Sequence, residues 1–73
     1  MRHSLTAIIQ AEGDGFVALC PELDVASQGD TIDQAKGNLL EAVELFLETA
    51  PKDEVADRLN GDCFVTRLEV SVG

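Results

Sequence analysis

The chain has few of the residues on which metal sites, disulfide scaffolds and most catalytic sites depend. Its 73 residues include two Cys, one His, two Pro and neither Trp nor Tyr. Cys20, Cys63 and His3 do not have the spacing of a metal-binding motif, and two Cys rarely suffice for a disulfide framework. We therefore predict free thiols, no metal and no cofactor.

Long apolar runs are also missing. No run approaches the roughly 20 residues that a membrane-spanning helix needs. The opening Met1-Arg2-His3-Ser4 leads into a strand pattern, whereas a signal peptide would continue with an apolar segment. We expect a cytoplasmic protein without a membrane partner.

Basic residues are scarce, with five Lys and Arg against 14 Asp and Glu, for a formal net charge of -9. This charge repels phosphate backbones over roughly 8–10 Å, which argues against direct nucleic-acid binding. The same field attracts a basic protein and speeds encounter with it. Acidity that merely keeps a small domain in solution explains the balance equally well.

The size of the chain predicts one thin-cored domain spanning 1–73. A chain this short buries only about 60% of the surface that its unfolded form exposes. With 45% hydrophobic residues and no metal motif, self-association is the expected supplement to stability. We predict a homodimer or larger homo-oligomer.

Three strands are predicted in the first part of the chain. Residues 4–11 alternate with the two-residue period of a strand, and Glu12-Gly13-Asp14-Gly15 has the composition of a tight hairpin. Phe16 to Cys20 is then the antiparallel second strand. Pro21 ends the pairing, and a short third strand follows at Val25 to Gln28.

A long amphipathic helix follows the strands. Thr31-x-x-Gln34 is a capping box that marks its start, and Pro51 marks its end, with one extra helical turn predicted from Lys52 to Leu59. The apolar stripe is roughly 160° wide, more than one small sheet face requires, so part of it is a candidate subunit contact. The predicted core face comprises Ala35, Leu39, Ala42, Val43, Phe46 and Ala50.

The C-terminal segment predicts a final strand. Phe64, Thr66, Leu68, Val70 and Val72 alternate with more polar neighbours, and this apolar set is expected to face the helix. The predicted fold is α+β, in the order β-β-β-α-β, an antiparallel sheet with one helix packed across it. A regular edge strand also pairs readily with another chain.

The segment around the helix start resembles a known family. Gly29-Asp30-Thr31-Ile32-Asp33-Gln34-Ala35, with Asn38 and Glu41-Ala42, stands at the positions of the HicB-like antitoxin motif. The resemblance covers most of the chain and implies a truncated ribonuclease H-like (HicB) fold. The preceding loop departs from the common Pro-x-Leu-Pro-Gly pattern, since here it reads Pro21-Glu22-Leu23-Asp24-Val25.

The resemblance implies a partner. HicB-like antitoxins bind and neutralise a small basic HicA-like ribonuclease toxin and cover its catalytic His. Full-length members continue into a DNA-binding segment, which we do not find before Val72-Gly73, so we expect no operator binding here. The candidate partner contacts are the acidic Asp14, Glu22 and Asp24, with Leu45 off the core face of the helix.

Catalysis is the least favoured interpretation. Active ribonuclease H folds hold two metals on converging carboxylates, yet Leu5 to Gln10 carries no acid. His3 is expected to be a solvated terminal side chain, and no catalytic residue is predicted. Two alternatives remain: a solitary protein-binding or scaffold domain without a toxin, and a metal-dependent nuclease that would lose activity on Asp24→Asn or Asp30→Asn.

Overall fold

The computed structural model describes residues 4–73 as an open three-stranded sheet and two helices, so His3 lies outside the described residues. The sheet has the order β1-β2-β3, with both strand pairs antiparallel. This arrangement confirms the predicted α+β fold with a helix across the sheet. The elements are β1 (Ile8–Glu12), β2 (Gly15–Cys20), β3 (Val25–Gly29), α1 (Ile32–Thr49) and α2 (Lys52–Asn60).

The hairpin between β1 and β2 forms where the sequence predicts it. Glu12 pairs with Gly15, which leaves Gly13 and Asp14 as a two-residue turn. Gly13 has a φ of 58°, in the left-handed region that glycine enters without a steric penalty. The turn thus sets the register that pairs Ile8 with Leu19 at the far end of the hairpin.

The capping box begins α1 as predicted. The Gln34 amide donates to the Thr31 hydroxyl at 3.1 Å. The Gln34 side chain reaches back and accepts from the Asp30 amide at 3.0 Å, one residue earlier than in the usual box. Two otherwise unpaired backbone donors are satisfied, which holds the helix start close to the end of β3.

The core is small and contains no aromatic side chain among its buried residues within 4–73. It lies between α1 and the sheet, and three of the predicted core-face residues, Ala35, Leu39 and Val43, are buried there. Leu23 is only 1% exposed, in agreement with its predicted position under the loop. The buried residues in the described part of the chain are Ala18, Cys20, Leu23, Ala35, Leu39 and Val43.

Helix α1 lies closest to β3. A Cβ atom on Gly29 would come within 2.6 Å of the Ala35 nitrogen, so only glycine permits this approach. On the same side, the Asn38 side chain donates to the Gln28 carbonyl at 2.8 Å. The helix therefore covers the β3 side of the sheet, while the β1 side is left more open.

The predicted final strand is wrong. Residues 61–73 form neither helix nor strand, and their side chains are exposed, with Phe64 and Leu68 each 86% exposed. Alternation specifies which face of a strand would be apolar, but a strand also needs a hydrogen-bonding neighbour. The helical segment predicted from Lys52 to Leu59 is confirmed as α2, Lys52–Asn60, and no element follows it within residues 61–73.

The shape of the molecule reflects this departure. The radius of gyration is 14.2 Å, against about 11 Å for a compact domain of this length. The long axis measures 48 Å and the short axis 17 Å. Residues 61–73 thus extend beyond the body formed by the sheet and helices.

A pair of glycine substitutions tests the placement of α1. Gly37 lies inside α1 with nothing within 4 Å of an added Cβ, so Gly37→Ala should raise the free energy of unfolding by about 0.5–1 kcal/mol. Gly29→Ala should lower it, because the new methyl group meets the helix backbone. Urea unfolding followed by circular dichroism measures both, and equal effects would contradict the close approach at Gly29.

Candidate partner-binding surface

The loop of residues 21–24, which joins β2 to β3, is fixed by contacts with the core and with α2. Leu23 anchors it in the core, and the Arg58 guanidinium of α2 donates to the Leu23 carbonyl at 2.7 Å. The same guanidinium lies 5.5 Å from the centre of the Phe46 ring. Arg58 therefore joins the loop, α1 and α2 at one end of the molecule.

Glu22 was predicted as a partner contact, and the structure places its carboxylate against the segment that leads into β1. It accepts hydrogen bonds from the Thr6 amide at 3.0 and 3.1 Å and from the Thr6 hydroxyl at 2.7 Å. The Cys20 thiol donates to it at 3.6 Å. Glu22 thus has a structural task that the sequence did not indicate, and its contact with a partner stays a prediction.

This cluster shifts two pKa values. Burial acts to raise the pKa of Glu22, but the hydrogen bonds from Thr6 outweigh it and leave the pKa below its ordinary value. Burial raises the pKa of the Cys20 thiol, with a further rise from the neighbouring Glu22 charge. Cys20 is buried and stays protonated at neutral pH, which is the opposite of what a nucleophilic cysteine requires.

Asp24 is exposed at the tip of the loop. Its φ of 54° lies in the left-handed region, which Asp and Asn enter more readily than other residues with a side chain. The aspartate allows the tight return into β3 and projects a charge into solvent at the same time.

Asp14 lies at the other end of the sheet from Asp24. The two residues flank opposite ends of β2, whose six residues span about 17 Å. Asp14 instead shares its end with Glu12 and Asp30, since Glu12 faces Gly15 in the sheet and Asp30 follows the end of β3. The predicted acidic contacts therefore form two separate regions.

Leu45 lies on the exposed surface of α1 and is 60% exposed. It precedes Phe46, which Arg58 connects to the loop, so Leu45 belongs to the same end of the molecule as Asp24. We call this the loop end, defined by Leu45, Arg58 and residues 21–24. The opposite acidic region, defined by Glu12, Asp14 and Asp30, is the hairpin end.

The carboxylates stay apart within the part of the chain that the structure describes. Among residues 4–73, no three His, Cys, Asp or Glu side chains come together closely enough to hold a metal ion. No helix in this range is long and apolar enough to cross a membrane. The surface offers exposed charge in two regions, with an exposed apolar side chain at each end: Leu45 at the loop end and Ile32 at the hairpin end.

Sequence reasoning missed Arg58 and the Thr6–Glu22 contact. Arg58 stands 35 positions from Leu23, and no local motif links them. Thr6 and Glu22 are 16 positions apart, although the antiparallel hairpin that separates them does place residues before β1 beside residues after β2. The second contact could thus have been found from the hairpin register, whereas the first could not.

A small acidic α+β domain with one long helix across an antiparallel sheet is the class of protein that these features define. A UPF0150 protein of Synechocystis sp. is 47% identical over 55 residues, which covers 73% of this chain and 76% of that protein. The chain therefore belongs to the UPF0150 family.

Two further relatives carry the same family name. A second UPF0150 protein of Synechocystis sp. is 41% identical over 49 residues, covering 64% of this chain and 62% of that protein. A UPF0150 protein of Helicobacter pylori is 29% identical over 68 residues, covering 92% of this chain and 94% of that protein. No family model and no solved structure matches the sequence.

The Glu22 cluster makes a pH-dependent prediction. Because the folded pKa of Glu22 lies below its ordinary value of 4.5, the charged carboxylate stabilises the fold above that pH, and this contribution is lost as pH falls through the folded pKa. Glu22→Gln should lower the free energy of unfolding by about 1 kcal/mol at pH 7. Its difference from the wild type should shrink towards pH 3.

Asp24→Asn is the matched control for this measurement. Asp24 is an exposed loop carboxylate in a conformation that Asn also adopts readily, so its stability should change by less than about 0.5 kcal/mol at either pH. Urea unfolding at both pH values measures the two variants side by side. Equal losses, or a Glu22→Gln effect that does not depend on pH, would count against the role given to Glu22.

Proposed function

We propose that this chain is a non-catalytic, HicB-like antitoxin-type domain of the cytoplasm that self-associates and binds and neutralises a small basic HicA-like ribonuclease toxin. The single observation that carries the proposal is the acidic surface of a chain with net charge -9, whose carboxylates within residues 4–73 do not converge on a metal-binding cluster. Such a surface suits a basic protein partner and does not suit hydrolysis.

The resemblance supports the proposal through the fold. Gly29 permits the close approach of α1 to β3, and Thr31 and Gln34 cap the start of this helix. Within α1, Ala35 is buried against the sheet, and Asn38 donates a hydrogen bond to β3. Five of the ten motif residues therefore have a structural reason to be where they are. Recognition of a toxin would fall to exposed residues other than these five.

The loop end is the better candidate for the toxin contact. It combines exposed charge at Asp24 with the exposed apolar side chain of Leu45. Interfaces commonly join an apolar centre to a charged rim, and rim charges set the rate and register of association. Glu22 contributes indirectly, because its bonds to Thr6 hold the loop in place.

The hairpin end also combines charge with an exposed apolar side chain, since Ile32, two positions after Asp30, is 53% exposed. Glu12, Asp14 and Asp30 are all exposed there, and they attract a basic partner from a distance. We assign Asp14 to long-range attraction and Asp24 with Leu45 to the contact itself, because bonds from Arg58 and Thr6 hold the loop that carries Asp24 in place. The difference between the two ends makes the proposal testable.

The first experiment identifies the partner. The chain is tagged and purified from the cells that encode it, and the co-purifying proteins are identified by mass spectrometry. We expect a short basic protein that cleaves RNA when isolated and stops when the tagged chain is added back. Recovery of a partner without ribonuclease activity would favour the scaffold alternative, and magnesium-supported RNA cleavage by the pure chain would contradict a non-catalytic role.

The second experiment compares the two ends in binding to that toxin. Leu45→Ser and Asp24→Asn should each raise the dissociation constant roughly three- to tenfold, mostly through faster dissociation for Leu45→Ser. Asp14→Asn, which also removes one exposed carboxylate, should mainly slow association. Surface plasmon resonance separates the two rates, and equal behaviour of Asp14→Asn and Asp24→Asn would contradict the assignment of the loop end.

A further inference from the structure

An apolar groove runs along the β1 side of the molecule. It lies between the segment leading into β1 and the outer flank of α1, with a volume of about 580 Å³. Helix α1 covers the β3 side, so the β1 side is the open one. The principal apolar lining consists of Leu5, Cys20, Leu39, Leu40, Val43 and Leu47.

The strand beside this groove has a free edge. β1 pairs only with β2, so the backbone donors and acceptors on its outer side have no neighbouring strand within residues 4–73. Natural edge strands are usually protected by charged residues, proline or a bulge. β1 contains no proline and only one charged residue, Glu12 at its hairpin end, so most of this edge lacks such protection.

The alternating pattern of residues 63–72 would allow this segment both to pair with a free β1 edge and to cover an apolar groove. Its alternate residues Phe64, Leu68, Val70 and Val72 are large, apolar and more than 70% exposed. A strand with this alternation pairs its backbone with a free edge and places one row of side chains against an adjoining apolar surface.

The distribution of charge indicates what kind of chain this segment can approach. Residues 12–62 carry 13 of the 14 acids and three of the five bases, whereas 63–73 carry one acid, Glu69, and one base, Arg67. The segment is therefore neutral, and the edge strand β1 carries a single charge, Glu12, at its hairpin end. These are the two parts of this acidic chain that meet without strong repulsion.

The path of the chain directs the segment outward. Gly61, which follows α2, has φ -73° and ψ 138°, an extended conformation with no left-handed reversal. Arg58 fixes the preceding turn of α2 to Leu23 and Phe46. From this anchor, the segment projects away from its own sheet, which is consistent with the 48 Å long axis.

We propose that residues 63–72 of one copy pair as a fourth strand with the β1 edge of a second copy, while the second copy does the same in return. Phe64 and Leu68 then cover the groove of the other copy. The exchange is reciprocal and closes a two-fold dimer, leaving no free segment. It deepens the self-association part of the proposed function and does not depend on the toxin.

The test measures the dimer of the full chain in reducing buffer, so that Cys63 cannot form a cross-link. Analytical ultracentrifugation should give twice the 7.8 kDa chain mass for the wild type. Leu68→Ser should raise the dissociation constant of the dimer at least tenfold. Val65→Ser is the matched control, because it removes a similar apolar side chain from the opposite row and should change the constant less than threefold.

Proline tests the backbone pairing separately from the side chains. Neighbouring residues of a strand direct their N–H groups to opposite sides. Of Thr66→Pro and Arg67→Pro, one removes a donor that faces the partner strand and should weaken the dimer markedly more than the other. Circular dichroism should show unchanged helix content in both variants, because residues 61–73 lie outside the helices and the sheet.

Hydrogen exchange then locates the contact. In the wild-type dimer, amides in 64–72 and outward amides of β1 should exchange slowly, and Leu68→Ser should return both to fast exchange. A monomer with a protected 64–72 would show that the segment folds onto its own sheet, which overturns the proposal. A dimer unaffected by Leu68→Ser and by both proline variants would overturn it while self-association stands, and a monomeric wild type would overturn both.

Discussion

The close contact between Gly29 and the first turn of α1 organises the rest of this structure. Because a Cβ atom at Gly29 would come within 2.6 Å of the Ala35 nitrogen, the helix backbone sits directly against the end of β3. The capping bonds of Thr31 and Gln34 fix its starting direction. From that start, α1 packs to one side, and both the small core and the open groove beside β1 follow from its off-centre position.

The C-terminal part of α1 is held in place by a side chain of α2. Arg58 of α2 bonds the Leu23 carbonyl and lies over Phe46, so the loop, the long helix and the short helix are joined by one side chain. A domain with a core this small gains little from burial, and an anchor of this kind adds order where the core is thin. It also sets the point from which residues 61–73 leave the body.

Local chemistry explains why the sequence predicts some parts of the fold and not others. The hairpin at Gly13, the capping box at Thr31 and the periodicity of α1 each depend on residues a few positions apart, and each is confirmed. The final strand depends on a neighbour that alternation cannot specify, and that prediction is wrong. No sequence pattern predicts the contact between Arg58 and Leu23, which are 35 positions apart.

For the candidate site, composition predicts the chemical character of the surface but not the positions of its residues. Net charge indicated a basic partner, and Asp14 and Asp24 are indeed exposed. Their separation by the length of β2 is a property of the hairpin, and it splits one predicted surface into two. The carboxylate of Glu22 is engaged by Thr6, a contact that composition alone could not reveal.

Because charge is unevenly distributed along the chain, its association with other proteins should depend on ionic strength. Two copies that meet through nearly neutral segments still bring their acidic bodies together, and added salt screens that repulsion and favours their union. Attraction between an acidic body and a basic protein is weakened by the same screening. Under the two proposals, added salt would therefore favour the dimer of this chain over its complex with a basic protein.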